Sequence, residues 1–162
     1  MASRYSGTLT AYRIANRRYP LFDGGGAFKF GSRWCTSGRY IIHAAFTYSA
    51  VLENIVHWQA ALLPPDQHYV QITIPPEVSR RVVAADEVPD WNAFPYGPSQ
   101  EVGDRWYDSQ ESAVLIVPSV LSPFEPNALL NQKHPQFGVI ASTDPQPAIL
   151  DKRLFVRSTQ PA

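Results

Sequence analysis

An α+β domain, richer in strand than in helix, is what the 162-residue sequence predicts. Three observations carry it. HYVQITIP, from His68 to Pro75, alternates apolar and polar residues as a half-buried strand does. Thr47 to Leu63 repeats apolar residues at helical spacing. Ala113 to Val117 is apolar on both faces, which suits a central strand. The sum is one sheet or two small packed sheets with flanking helices.

The elements follow in chain order. Thr8 to Ala15 reads as a strand, with Leu9, Ala11 and Arg13 on one face and Tyr12 and Ile14 on the other. Pro20 to Ser32, PLFDGGGAFKFGS, reads as a glycine-rich loop able to lie over a cleft as a lid. Arg39 to Ala45 is a second strand. In the Thr47–Leu63 helix, Thr47 suits the N-cap, Phe46 and Val51 suit a hydrophobic staple, and Pro64-Pro65 stop the helix. Arg81 to Ala84 is a short strand, and a short helix is expected between Ser99 and Tyr107. Phe137 to Ala141 and Arg153 to Val156 complete the predicted strands. Pro118 ends the Ala113–Val117 strand, because proline has no N–H for a ladder.

Composition narrows the function classes. Hydrophobic residues make up 44% and charged residues 17%, with zero formal net charge, so there is no basic footprint for direct nucleic-acid contact. Cys35 is the only cysteine, which rules out an internal disulfide and suits a reducing compartment. No apolar run approaches the roughly 20 residues that span a bilayer, and the N-terminal segment lacks an apolar signal core. The expectation is a soluble, cytoplasmic protein. The 15 prolines are spread between apolar segments, which predicts one domain over residues 1–162 with stiff turns and not two tethered units.

Several familiar chemistries fail on spacing. Gly24, Gly25 and Gly26 are not followed by the Lys-Ser or Lys-Thr of a phosphate loop, and they do not fit a dinucleotide fingerprint. His43, His57, His68 and His134 have no zinc-ligand spacing with a nearby cysteine or carboxylate cluster. Ser119 lacks the G-x-S-x-G elbow of a hydrolase. Two residues remain open. Glu53 sits at the margin of its helix's apolar stripe, either capping a core edge or aimed into a cleft. Arg13 shares an inward strand face and needs an anionic partner, because an unpaired buried charge is costly. An Arg13–Glu53 salt bridge would satisfy both, and so would a ligand.

The pieces then fall into a family order: YRIA around Arg13, GSRW at Gly31–Trp34, SAVLENIVH around Glu53, VQITIP, GDRWYDSQESAVLIVPSV running past Ser119, NALLNQKHPQF from Asn127, and DKRLF. In this order, over about residues 12–155, the chain resembles the RES domain, the toxin half of a bacterial toxin–antitoxin pair. Gly103 to Phe137 is its most specific stretch. The family's namesake residues map onto Arg13, Glu53 and Ser119, and Arg33 matches another basic position. Where the family commonly has Gly-Gly-Arg-Trp-Asn, this chain has Gly31-Ser32-Arg33-Trp34-Cys35; where it commonly has Tyr, this chain has His43.

The resemblance implies an ADP-ribosyltransferase-like fold with NAD+ bound in a cleft as substrate and no further cofactor. Cleavage of the nicotinamide–ribose bond builds positive charge on the ribose, which a carboxylate stabilises; Glu53 takes that role. Arg13 and Arg33 suit the pyrophosphate, since a guanidinium offers fork geometry. Ser119 would bond the nicotinamide amide, the ribose or the acceptor, and His43, Trp34 and Tyr12 offer stacking area. The acceptor would be water, inorganic phosphate as co-substrate, or a protein side chain. A protein ADP-ribosyltransferase is thus the alternative to an NAD+ glycohydrolase or phosphorylase. A non-catalytic binding domain is disfavoured by the intact Arg, Glu and Ser set. The implied partner is an Xre-type antitoxin with a helix-turn-helix region, with room for a toxin homodimer in the complex.

Overall fold

The computed structural model describes residues 4–50, 52 and 65–151. Its frame grows from the alternating segment. Val70, Ile72 and Ile74 are buried along one side of β3 (Gln67–Ile74), as the pattern dictates. The other strands are β1 (Leu9–Asn16), β2 (Ile41–Ala45), β4 (Arg80–Val82), β5 (Val114–Val117), β6 (Asn127–Asn131), β7 (Ala141–Ser142) and β8 (Gln146–Pro147). They form one sheet in the order β4-β5-β6-β2-β1-β3-β7, with β8 also on β3. All pairings are antiparallel except β4 with β5. The α+β expectation holds, in its one-sheet form.

One sheet face packs Ala11, Ile42, Ala44, Val70, Ile72, Val114, Ile116, Ala128 and Leu130 into the larger core. The other face carries Leu115, Val117 and Leu129 against Trp106 of α2 (Gly97–Ser109). Trp106 is fully buried and donates its indole N–H to Ser112 Oγ at 2.9 Å, which satisfies its polar atom inside the core. Strand β5 is buried at all four positions, as expected of a central strand, and it stops before Pro118.

Three expectations are corrected. The glycine-rich stretch holds α1 (Gly25–Phe30), a short helix and not a loop. One local contact and two tertiary anchors override its poor propensity: Asp23 Oδ2 accepts the Gly25 N–H at 2.8 Å, Gln132 Oε1 accepts the Gly24 N–H at 2.7 Å, and Phe28 stacks on Tyr40 at 4.3 Å. Of these, Gln132 and Tyr40 tie the segment to the rest of the fold. Residues 137–141 are mostly a 3-10 turn, Pro135–Val139, with only Ala141 passing into β7. His134 caps that turn by accepting the Gln136 N–H, and Pro135 presets its first residue. Strand β6 was not expected, because ALL between two asparagines is too short to show a period. Of the predicted Thr47–Leu63 helix, Ala50 and Leu52 are described and helical, and Thr47 Oγ1 accepts the Ser49 N–H at 3.2 Å at its entry. The rest of that helix and the Arg153–Val156 strand lie outside the described residues.

Candidate active site

The site forms where the sheet's pairing thins out. β1 makes eight register pairs with β3, from Leu9↔Ile74 to Asn16↔Gln67. With β2 it makes one, Tyr12↔Ala45. Beside that single pair, the Arg13 side chain takes up a bond the ladder does not make, donating from Nη1 to the His43 carbonyl at 3.0 Å. Arg13 Nε is buried and has no hydrogen-bond partner among the described residues. Burial pulls the guanidinium below its ordinary value, against the opposing pull of the Asp23 carboxylate. Arg13 has no ion pair with any described carboxylate. A charge held this way suits an anionic ligand.

His43 stands on β2 in register with Leu129, on the face opposite the larger core. Its Nε2 lies 2.8 Å from Ser32 Oγ. Ser32 belongs to a tight turn closed by the Ser32↔Cys35 bridge, with Arg33 and Trp34 at its tip. Helix α2 holds this turn along one side: Ser99 Oγ donates to the Arg33 carbonyl at 2.7 Å, and Gln100 Nε2 to the carbonyls of Ser32 and Cys35 at 2.9 and 3.3 Å. Asp104 accepts from the Thr36 N–H and hydroxyl. Gly103 lets the helix approach so closely that a Cβ there would overlap the Trp34 carbonyl oxygen. Ser32, Cys35 and His43, the three departures from the family's usual residues, thus meet in one cluster.

The other predicted site residues divide. Tyr12 sits on the His43 face, half-buried and edge-on to Tyr48 at 6.4 Å. Arg33 lies over the Tyr96 ring at 4.5 Å and donates from Nη1 to the Trp91 and Ala93 carbonyls at 3.4 and 3.2 Å, so it also tethers that loop. Trp34 is 4% exposed and stacks on Trp91 at 6.2 Å, which makes it part of the core behind the turn. Ser119 follows β5 and accepts the Leu121 N–H at 3.2 Å in a local turn. Its strand end aligns through Val117↔Asn127 and Asn127↔Ala45 with the Tyr12↔Ala45 pair. Two strand spacings, about 10 Å, separate β5 from β2. The loop beyond it exposes Val120, Leu121 and Phe124, the last at 83%. Glu53 lies outside the described residues.

In the sequence Ser32 and Cys35 stand out only as departures from the family pattern, with no role in the site assigned to either. The signal was present in GSRWC, where a hydroxyl and a thiol flank Arg-Trp. Asp23, the carboxylate that acts on Arg13, carried no signal because the chain separation hides its closeness.

Residues 10–151 match the RES domain model. The chain belongs to the RES family. Its curated relatives are toxins. The Prs ADP-ribosylating toxin of Sphingobium sp. (strain YBL2) is 36% identical over 157 residues, covering 91% of this chain and 98% of that protein. Toxin Res of Yersinia enterocolitica (serotype O:8 / biotype 1B) is 34% identical over 151 residues, covering 90% and 99%. A solved chain of the M. tuberculosis MbcT-MbcA toxin-antitoxin complex has the same fold, with a TM-score of 0.72 over 93% of this chain and 88% of that one at 16% identity. Among this chain's described residues no helix is long and apolar enough to cross a membrane, and no three His, Cys, Asp or Glu side chains cluster to hold a metal ion.

Proposed function

We propose that this RES domain is the toxin of a toxin–antitoxin pair and cleaves the nicotinamide–ribose bond of NAD+. The observation that carries the reading is the half-buried Arg13, whose Nε has no described partner where β1 leaves β2. A guanidinium there suits a pyrophosphate. Tyr12 and His43 offer ring area on one sheet face, and a dinucleotide is long enough to reach from them to Ser119. The scissile C–N bond breaks with its electron pair going to the nicotinamide nitrogen, which leaves neutral. The ribose carbon, now oxocarbenium-like, is attacked by the acceptor, which then loses its proton. Glu53 stabilises the cationic ribose and orients its hydroxyls. Arg13 and Arg33 hold the phosphates. Trp34 supports the site from behind and does not stack on the ligand directly.

Water as acceptor gives a glycohydrolase, inorganic phosphate a phosphorylase, and a side chain a protein ADP-ribosyltransferase. The last is the alternative reading, favoured by the name of the Sphingobium relative. Incubating the purified protein with NAD+, with and without phosphate, separates them. Nicotinamide release in buffer alone marks hydrolysis, and phosphate-dependent release marks phosphorolysis. Release only with cell extract marks protein modification, and no release under any condition would sink the proposal. Glu53→Gln is expected to cut release on the order of 10²-fold while the protein stays folded. The partner on this reading is an Xre-type antitoxin with a helix-turn-helix region, which would carry the DNA contacts, in a cytoplasmic complex open to toxin dimerisation. Co-expression and co-purification check that pairing.

A further inference from the structure

A serine hydroxyl has one proton to give and two lone pairs to receive. Ser32 Oγ has three neighbours that fill this capacity: the Trp34 N–H at 3.2 Å, Cys35 Sγ at 3.2 Å and His43 Nε2 at 2.8 Å. The backbone amide can only donate, so it takes one lone pair. The remaining lone pair and the proton are divided between a sulfur and an imidazole nitrogen. Sulfur is a weak acceptor, and an unprotonated imidazole nitrogen is a strong one. The favoured division sends the hydroxyl proton to Nε2 and lets the thiol S–H donate to Oγ. Cys35 is fully buried, and burial raises its thiol above the ordinary value, so it keeps the proton this division needs. With Nε2 accepting, a neutral His43 carries its proton on Nδ1. The turn that carries Ser32 is itself fixed by Gln100 and the close approach of Gly103, so the hydroxyl is not free to follow the ring.

We propose that Ser32 is a positioning residue of the site: its hydroxyl, held by the Trp34 amide and the Cys35 thiol, fixes the orientation and the Nδ1–H tautomer of His43. Its effect on NAD+ rests on the reading above, through the contact assigned to His43; the tautomer itself does not. Nitrogen-15 NMR of histidine-labelled protein reads that tautomer, with His43 assigned by loss of its signals in His43→Gln. The wild type is expected to show Nε2 unprotonated and Nδ1 protonated. Ser32→Ala is expected to give a mixture of tautomers, and Ser32→Thr, which restores the hydroxyl, to return the single form. In the nicotinamide-release assay Ser32→Ala is expected to raise KM for NAD+ about fivefold with kcat within about twofold. The same substitution on the His43→Gln background adds nothing. An Nε2–H tautomer in the wild type, or identical His43 spectra in wild type and a folded Ser32→Ala, overturns the proposal. Absence of NAD+ cleavage by the wild type overturns the functional reading instead, and the spectra still decide the role of Ser32.

Discussion

Strand β1 treats its two neighbours differently. Toward β3 the ladder is complete over all eight residues of the strand. Toward β2 it is reduced to Tyr12↔Ala45, and a guanidinium bonds to the His43 carbonyl beside it. The closed seam is built from backbone bonds that any sequence of β-formers supplies. At the open seam the Arg13 side chain reaches the β2 backbone, and the His43 ring on that strand is bonded to Ser32. Where a fold gives up ladder bonds, it gains room for groups that can meet a ligand, and it becomes dependent on the identity of those groups.

Perturbing the two regions should therefore give opposite phenotypes. The largest effect belongs to the closed side. Ile72→Ala, on β3 opposite Ala11, empties the larger core under that seam and is expected to cost about 2–5 kcal/mol in denaturant unfolding, while any molecules that fold keep NAD+ cleavage near normal. Arg13→Lys comes next, with the reverse signature. A point charge replaces the fork, so nicotinamide release should fall by about 100-fold with little change in melting temperature. Unfolding without a selective loss of NAD+ affinity would return Arg13 to a structural role. Ser119→Ala should lower kcat/KM by about tenfold, since one hydrogen bond to a reacting ligand is lost at the far end of the site; unchanged kinetics would leave Ser119 as a turn residue only.

The smallest effect is a pH dependence. The Cys35 thiol is raised above its ordinary value of 9.0, chiefly by burial. The folded state thus holds this proton more tightly than the unfolded one. Stability from Cys35 is fully present below the unfolded value and is lost as pH climbs through the folded value. Melting curves of wild type and Cys35→Ala should converge as pH rises above about 9. Parallel curves across that range would show that the thiol stays unperturbed.

The sequence made the closed seam easy to read and the open one hard. Alternation in HYVQITIP and the doubly apolar AVLIV reflect burial of whole faces, which leaves a period in the chain. Arg13 was legible as a charge on an inward face, and the turn of chain at Pro118 as the end of a strand. By contrast, α1 is held by the adjacent Asp23 and by Gln132 and Tyr40 from outside the segment, so its own glycines argued for a loop. Trp34 resembled a stacking platform because sequence shows that a ring is present and not which side of the turn it faces. Ser32 was silent for a related reason. A single hydroxyl has no pattern, and its meaning comes from three partners brought together by the 32–35 turn and β2.

Gly103 has a consequence of its own. Helix α2 touches the 32–35 turn through a residue with no side chain, so the two backbones pack directly against each other. Even the smallest side chain at position 103 would push the site from behind, which makes this glycine a place where a toxin can be tuned down by a single methyl group.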